Sequence, residues 1–144
     1  MEIKDTRIYK LREYLMEILD TLLSSDEYQL NANFLSEEIG NYSLDKLPTE
    51  YEEKWIIGPT IKKEVYELRT RNNYGTNVLD NLSNIGFFEA FEKEIENKNK
   101  NKDFPKINGI EKIECLNCGT LSDVNSPDTA EFSVQIQITF LNQK

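Results

Sequence analysis

The most constraining feature of this 144-residue chain is a strict two-residue alternation near its C-terminal end. From residue 130 to residue 140, apolar and polar residues alternate at successive positions. The apolar set is Ala130, Phe132, Val134, Ile136, Ile138 and Phe140. Side chains on a strand point alternately to its two faces, so this pattern predicts a β-strand with one buried and one polar face. Residues 110–118 are predicted as the other arm of a hairpin, and residues 119–129 as an acidic loop between the arms.

Two other segments show helical periodicity. Residues 5–24 carry one apolar stripe at alternating spacings of three and four, formed by Ile8, Leu11, Leu15, Ile18 and Leu22. A second helix is predicted to begin near Thr76, which can cap it. Its continuous apolar face is predicted to comprise Val78, Leu79, Leu82, Ile85, Phe88, Phe91 and Ile95. Gly86 predicts a kink or a break in this helix, and residues 94–103 are interpreted as a solvated linker that Pro105 ends.

The middle of the chain predicts short strands and a hairpin. Residues 29–34 and 41–47 are candidate short strands, and residues 54–57 lead through Gly58 and Pro59 into an outgoing arm at 60–71. The resulting order is helix, short strands, hairpin, helix, hairpin. That order predicts an α+β fold in which a largely antiparallel β-sheet carries two main α-helices on one face. The length predicts one domain that spans residues 1–144.

Composition and charge exclude several classes of function. The chain has no histidine, so it lacks imidazole metal ligands and any nucleophile activated by histidine. Its formal net charge of −9 opposes binding to a phosphate backbone, and we expect no specific nucleic-acid binding. No apolar run is long enough to cross a bilayer, and the first ten residues lack the apolar core of a signal peptide. We therefore expect no membrane partner, and synthesis in a cytoplasm.

Two short motifs carry possible metal or redox chemistry. Cys115 and Cys118 form a CxxC, but a zinc site needs four ligands, and residues three apart on a strand point to opposite faces. The loop with Asp123, Asn125 and Asp128 offers oxygen ligands without the residue order of an EF-hand. We interpret both as ordinary structure and predict no catalytic residue, no metal and no cofactor. A carboxylate enzyme with a metal site around Asp123 and Asp128 is the least favoured alternative, and it predicts a concave pocket with convergent acids.

The stretch RTRNNYG at residues 69–75 is the candidate intersubunit interface. Arg69, Arg71, Asn73 and Tyr74 combine two guanidinium groups, an amide and an aromatic ring at the end of a predicted strand. Arginine and aromatic residues are enriched in protein interfaces. The alternative is that the arginines pair with carboxylates of the same chain.

The order of these motifs resembles the bacteriophage minor capsid or tail terminator (tail completion) family of phages and tail-like particles from Gram-positive bacteria. The resemblance extends from FLSEEIGNYSLDKLP at residues 34–48 to the end of the chain. It is carried by RTRNNYG, by NVLDNLSNIGFFEAFEKEIE at 77–96, by KIEC at 112–115 and by DTAEFSVQIQITF at 128–140. The chain departs from the pattern at CLNCGT, residues 115–120, and at residues 51–57.

This resemblance implies a structural virion protein with a tail-terminator-like α/β domain and no catalytic residues. Proteins of this family form a homo-hexameric ring on the last ring of the tail tube. The implied partners are copies of the same chain, the tail tube protein, and a head-tail connector, collar or sheath protein. The implied location is the tail end or collar of a virion or contractile tail particle, assembled in the bacterial host cytoplasm. The alternative function is a small cytoplasmic adaptor or regulatory protein without catalytic activity, which predicts a monomer or dimer.

Overall fold

A computed structural model describes residues 1–23, 27–53, 60–117, 119–124 and 126–142. After a 3-10 turn at Ile3–Asp5, these described residues form two helices and six strands. In chain order these are α1 (Arg7–Leu23), β1 (Leu30–Ala32), β2 (Tyr42–Glu53), β3 (Thr60–Asn73), α2 (Val78–Lys100), β4 (Ile110–Cys115), β5 (Thr120–Val124) and β6 (Thr129–Asn142).

All six strands belong to one sheet with the order β1-β2-β3-β6-β4, and β5 also pairs with β6. Among the strands of the described ranges, only β1 and β2 run parallel to each other; the other pairings are antiparallel. Strand β6 pairs with β3 along its whole length, from Thr60 opposite Asn142 to Asn73 opposite Thr129. Its other edge is shared, because β4 pairs with its second half and β5 with its first. The predicted α+β fold with a largely antiparallel sheet is therefore confirmed.

Both helices cover the same face of the sheet. The alternating apolar residues of β6 are buried in one hydrophobic cluster with residues of α1 and α2. Leu11, Leu15 and Ile18 of the predicted α1 stripe are fully buried, and Ile8 and Leu22 are partly buried against the cluster. The hydroxyl of Thr6 accepts a hydrogen bond from the backbone N–H of Tyr9, 3.3 Å away, which caps the start of α1. No helix of the described residues is long and apolar enough to cross a membrane.

Helix α2 differs from its prediction in length and in its capping residue. It runs without a break through Gly86 and continues to Lys100, so most of the predicted linker at 94–103 is helical. Asn77, and not Thr76, caps it: the Asn77 side chain accepts hydrogen bonds from the backbone N–H groups of Leu79 and Asp80. Two contacts hold the C-terminal turns against the sheet: Ile95 is buried, and the Asn99 side chain accepts a hydrogen bond from the backbone N–H of Ile113.

The predicted continuous apolar face of α2 is also wrong. Phe88, Phe91 and Ile95 are buried, whereas four apolar residues of the first half are exposed: Val78, Leu79, Leu82 and Ile85. At 100° per residue, the stripe of Val78, Leu82 and Ile85 lies roughly 110° around the helix from the buried stripe. The helix therefore carries two apolar stripes, and only one of them faces the sheet.

The predicted acidic loop at 119–129 contains a strand, β5. All five β5 residues are exposed, so their sequence has no burial pattern that could predict a strand. The strand forms because β4 ends at Cys115 and leaves the first half of β6 with an unpaired edge, which β5 then occupies. The first hairpin also differs from its prediction, because its incoming strand β2 already begins at Tyr42. The arm predicted at residues 54–57 lies outside the described residues. The pairing of β2 with β3 shifts between Lys46 and Glu50, around Pro48, which has no N–H to donate.

Candidate interaction surfaces

The candidate interface residues lie mainly on the face of the sheet opposite the helices. Arg69, Arg71 and Asn73 alternate along β3 and lie opposite the polar residues of β6. Tyr74 follows the strand and turns toward the core, where its ring lies 6.3 Å from that of Phe132. The structure thus places Arg69, Arg71 and Asn73 in one row and separates Tyr74 from them.

Both arginines pair with carboxylates of the same chain. Arg69 forms an ion pair with Asp45 of β2, and Arg71 lies 3.1 Å from the Glu131 carboxylate of β6. Arg71 also donates a hydrogen bond to the backbone carbonyl of Ser36. The side chains of Arg69 and Arg71 are 24% and 14% exposed, so part of each guanidinium group still reaches the surface. This is the intramolecular pairing expected under the alternative interpretation; contact with a neighbouring subunit stays a prediction.

The cysteine and aspartate motifs do not converge on a metal site in the described part of the chain. Cys115 ends β4 and is partly buried against the core, while Cys118 lies outside the described residues. Asp123 belongs to β5, Asp128 lies in the turn before β6, and Asn125 is not among the described residues. Among the described residues, no group of three or more Cys, Asp or Glu side chains is placed to hold a metal ion.

Sequence reasoning missed a buried ionic cluster around Glu64 of β3. The Glu64 side chain is 2% exposed, and its carboxylate accepts hydrogen bonds from Arg7 Nε at 2.8 Å and Arg7 Nη2 at 2.9 Å. Lys46 Nζ and the Tyr66 hydroxyl donate two more, at 2.9 and 3.1 Å. The guanidinium of Arg7 also lies 4.9 Å from the centre of the Phe140 ring. The cluster joins the start of α1 to β2, β3 and β6.

The surroundings of Glu64 keep its carboxyl group ionised. Burial alone raises its pKa, but the hydrogen bonds and positive charges of Arg7 and Lys46 outweigh burial and lower the pKa to about 2. Burial, together with the Glu64 charge, raises the pKa of Tyr66, so its hydroxyl remains a donor. Because four donors already occupy the carboxylate, it has little capacity left for a substrate. We interpret it as a structural anchor.

An exposed apolar surface lies where α2 passes the edge of the sheet. We call it the α2/β5 surface, and it consists of Val78, Leu79, Leu82, Ile85, Leu121 and Val124. The side chains of Leu79 and Val78 are 75% and 66% exposed. Apolar residues in contiguous exposed groups commonly mark binding sites on soluble proteins.

The register of the sheet and the helical repeat place Ile85, Leu121 and Val124 on one side of the molecule. The Asn99 side chain accepts a hydrogen bond from the backbone N–H of Ile113 in β4, 3.1 Å away. Ile85 precedes Asn99 by fourteen residues, close to four turns, so it points to the same edge of the sheet. On β5, Leu121 lies opposite Phe132 and Val124 opposite Ala130, which places both on the helix-covered face.

No protein-family model matches the chain, and a search of curated proteins finds no match. The assignment of a role therefore depends on the surfaces described above and on the order of the sequence motifs.

Proposed function

We propose that this chain is a structural, non-catalytic subunit that forms a ring at the end of a bacteriophage tail or a tail-like particle. In this role the ring caps the tail tube, stops its growth and joins it to a head-tail connector or collar. The observation that carries the proposal is the α2/β5 surface beside the free edge of the sheet. A subunit that packs against its neighbours needs such a surface, whereas a monomeric globular protein does not.

Ion pairs that link the elements of the fold support an assembly role. Glu64 ties α1 to the sheet, and the ion pairs of Arg69 and Arg71 join β2, β3 and β6 across the opposite face. A ring subunit must present its contact surfaces at a fixed angle, because small changes in that angle prevent closure. Closed cyclic assembly also covers sheet edges that would otherwise promote aggregation.

The acidic charge suits a ring through which DNA passes. With a formal net charge of −9, the subunit repels phosphate groups and does not retain the nucleic acid. We therefore propose that the inner surface of the ring is acidic. A structure of the ring with a basic or neutral lumen would contradict this part of the proposal.

A small cytoplasmic adaptor is the second candidate. The exposed stripe of Val78, Leu82 and Ile85 on α2 would also suit a single partner helix. An adaptor would remain a monomer or dimer and would not alter a tail tube.

The proposal is tested by adding the purified protein to polymerising tail tube protein and measuring tube lengths by electron microscopy. We expect shorter tubes that end in an added ring. Unchanged tube lengths and bare tube ends would contradict the proposal.

The candidate interface can be tested in the same assay with Asn73→Ala. This substitution removes an exposed amide but keeps the backbone carbonyl of residue 73, which accepts a hydrogen bond from Asn84 at 2.8 Å. We expect weaker ring formation at an unchanged melting temperature. Glu17→Gln, on the exposed face of α1, is the control and should behave like the wild type. Ring formation that is equally strong in both variants would remove Asn73 from the interface.

A further inference from the structure

A cavity of about 610 Å³ lies between the end of α1, the first half of α2, the start of β2 and the end of β3. We call this cavity the α1/α2 groove. Its apolar lining consists mainly of Leu22, Leu23, Ile39 and Phe87. Ile39 is 50% exposed and the other three side chains are partly exposed, so a partner can contact all four.

The exposed leucines of α2 extend this apolar lining. Leu79 and Leu82 precede Gly86, which lines the groove, by seven and four residues, so all three lie along one side of the helix. The two leucines are 75% and 57% exposed. A partner seated in the groove would therefore also cover apolar side chains that the fold leaves exposed.

The charge around the groove is negative. No lysine or arginine is among the described residues that line it. Asp80 lines it in the first turn of α2, and its carboxylate forms no ion pair with the described residues. Glu37 and Glu38 directly precede Ile39 and are exposed.

The cations nearest in sequence do not line the groove. Arg71 precedes the lining residue Asn72, but its side chain lies on the opposite face of the sheet, 3.1 Å from the Glu131 carboxylate. Lys93 is exposed and lies almost one turn beyond Ala90, the last lining residue of α2. The potential in the groove therefore favours a positively charged partner over an acidic one.

The groove also contains a hydrogen-bond acceptor that suits such a partner. Asn84 lines the groove and is 5% exposed. Its Nδ2 donates to the backbone carbonyl of Asn73 at 2.8 Å, whereas its Oδ1 accepts no hydrogen bond from the described residues. Asp80 lies one turn earlier on the same helix. The amide oxygen and the carboxylate together match the N–H donors of lysine or arginine.

The backbone at the groove favours a helical partner over an extended one. Tyr42 pairs with Leu30 of β1 on one side and with Thr70 of β3 on the other, and the N–H of Gly40 donates to the Arg71 carbonyl. These described residues thus offer an extended segment no free strand edge. A helix satisfies its own N–H and C=O groups and needs only side-chain contacts.

We propose that the α1/α2 groove binds the apolar face of a positively charged amphipathic helix from a partner protein. Apolar side chains at helical spacings would pack against Leu22, Ile39 and Phe87, and the flanking lysines or arginines would reach Asp80 and Asn84. The inference goes beyond the proposed function, because the groove can bind such a helix whether or not the subunit forms a ring.

The test uses synthetic peptides of about 18 residues that contain leucine, alanine and lysine. The probe peptide has leucines at spacings of three and four, with lysines beside this stripe. One comparison peptide has glutamate in place of every lysine, and a second has the composition of the probe in an order without a stripe. Fluorescence anisotropy measures binding to the full chain, and amide chemical shifts in nuclear magnetic resonance locate the contact.

Two variants alter the groove, and each has a control on α2. Gly86→Phe fills the groove, and nothing lies within 4 Å of an added Cβ there, so we expect the variant to fold with wild-type circular dichroism. Asn97→Phe is its control at an exposed position three turns further along the same side of the helix. Asp80→Asn removes the carboxylate of the groove, and Glu96→Gln, at an exposed position, is its control.

We expect the probe peptide to bind saturably and to shift the amides of the groove. Gly86→Phe should weaken binding by about tenfold or more, because the ring occupies the place of the partner's apolar side chains. Asp80→Asn should weaken it by about two- to fivefold, and this difference should shrink at about 0.5 M salt. Both control variants should bind like the wild type. The glutamate peptide should bind about tenfold or more weakly than the probe.

Four outcomes would overturn the inference. Equal binding to Gly86→Phe and to the wild type would place the contact elsewhere on the molecule. Equal binding of the peptide without a stripe would show attraction by charge alone, and equal binding of the glutamate peptide would show that charge has no part. No binding of the probe would exclude the site. None of these outcomes changes the tube-length assay, which decides the proposed function separately.

Discussion

Replacing Glu64 by glutamine should lower the free energy of unfolding at pH 7 by about 2 kcal/mol. Glutamine keeps the size of the side chain but removes the charge that Arg7 and Lys46 bind. The reason for the loss is linkage: a carboxyl group with a lower pKa in the folded state than in the unfolded state stabilises the folded state while it is ionised.

The magnitude follows from the pKa of Glu64. A fall from 4.5 to about 2 corresponds to about 3 kcal/mol of stabilisation once the group is fully ionised. The side chains of Arg7 and Lys46 are 44% and 42% exposed, however, so solvent screens their charges. We therefore expect about 2 kcal/mol.

The pH dependence separates this effect from a loss of packing. Because the folded-state pKa is lowered, the stabilisation is fully present above pH 4.5 and is lost as the pH falls through 2. The difference between wild type and Glu64→Gln should therefore shrink to about three fifths of its neutral value at pH 3.5 and to about one quarter at pH 2.5. Urea unfolding followed by far-ultraviolet circular dichroism would measure it at pH 7, 3.5 and 2.5. These values avoid the isoelectric point near 4.6, where the protein is least soluble.

Glu89→Gln is the matched control, since Glu89 is exposed on α2. This variant should differ from the wild type by less than about 0.5 kcal/mol at pH 7. A cost for Glu64→Gln that is the same at pH 7 and pH 2.5 would refute the ionic explanation and point to packing alone. No cost at either pH would refute the role of Glu64 as an anchor.

Three further substitutions test the backbone of the fold, each by urea unfolding at pH 7. Gly109→Ala should cost more than about 1 kcal/mol, because Gly109 has a positive φ of 77° and an added Cβ would overlap the Leu141 carbonyl oxygen. Gly86→Ala should instead stabilise by about 0.5–1 kcal/mol, because this helical position has open space; a destabilised variant would contradict an unbroken α2. Asn77→Ala should cost about 1 kcal/mol through the lost cap of α2, and no cost would place the cap elsewhere.

The elements that the sequence predicted well have a single, strong period. Strand β6 alternates strictly because it lies at the centre of the sheet, where one face is covered by the helices. Helix α1 carries one stripe because it touches the core on one side only. In both elements the buried residues recur at the repeat of the secondary structure: every second residue in β6 and every third or fourth in α1. The sequence pattern is therefore sufficient to predict the element.

The wrong predictions concern residues whose burial does not follow the repeat of their secondary structure. All five residues of β5 are exposed, and the strand joins the sheet through backbone pairing with β6, which leaves no trace in the pattern of its side chains. The apolar residues in the first half of α2 look like core residues, but they form the exposed α2/β5 surface instead. A sequence alone cannot distinguish an apolar residue that faces the core from one that faces a partner.

The burial of Glu64 was not predicted, because its charged neighbours Lys62, Lys63 and Glu67 indicate a strand exposed to solvent. The signal was nevertheless present in the alternation, since Glu64 shares its face with the buried Tyr66 and Leu68. Only the fold shows that Arg7, 57 residues away in sequence, supplies the opposite charge.

The central claim is self-assembly into a ring on a tail tube, and the most direct measurement is the mass of the purified protein by light scattering. The measurement is made with the protein alone and after mixing with the tail tube protein. Our account predicts a ring-sized species, close to six times the 16.8 kDa subunit mass for a hexamer, in at least one of the two samples. A monomer whose mass does not change when the tube protein is added would contradict the account and favour the adaptor.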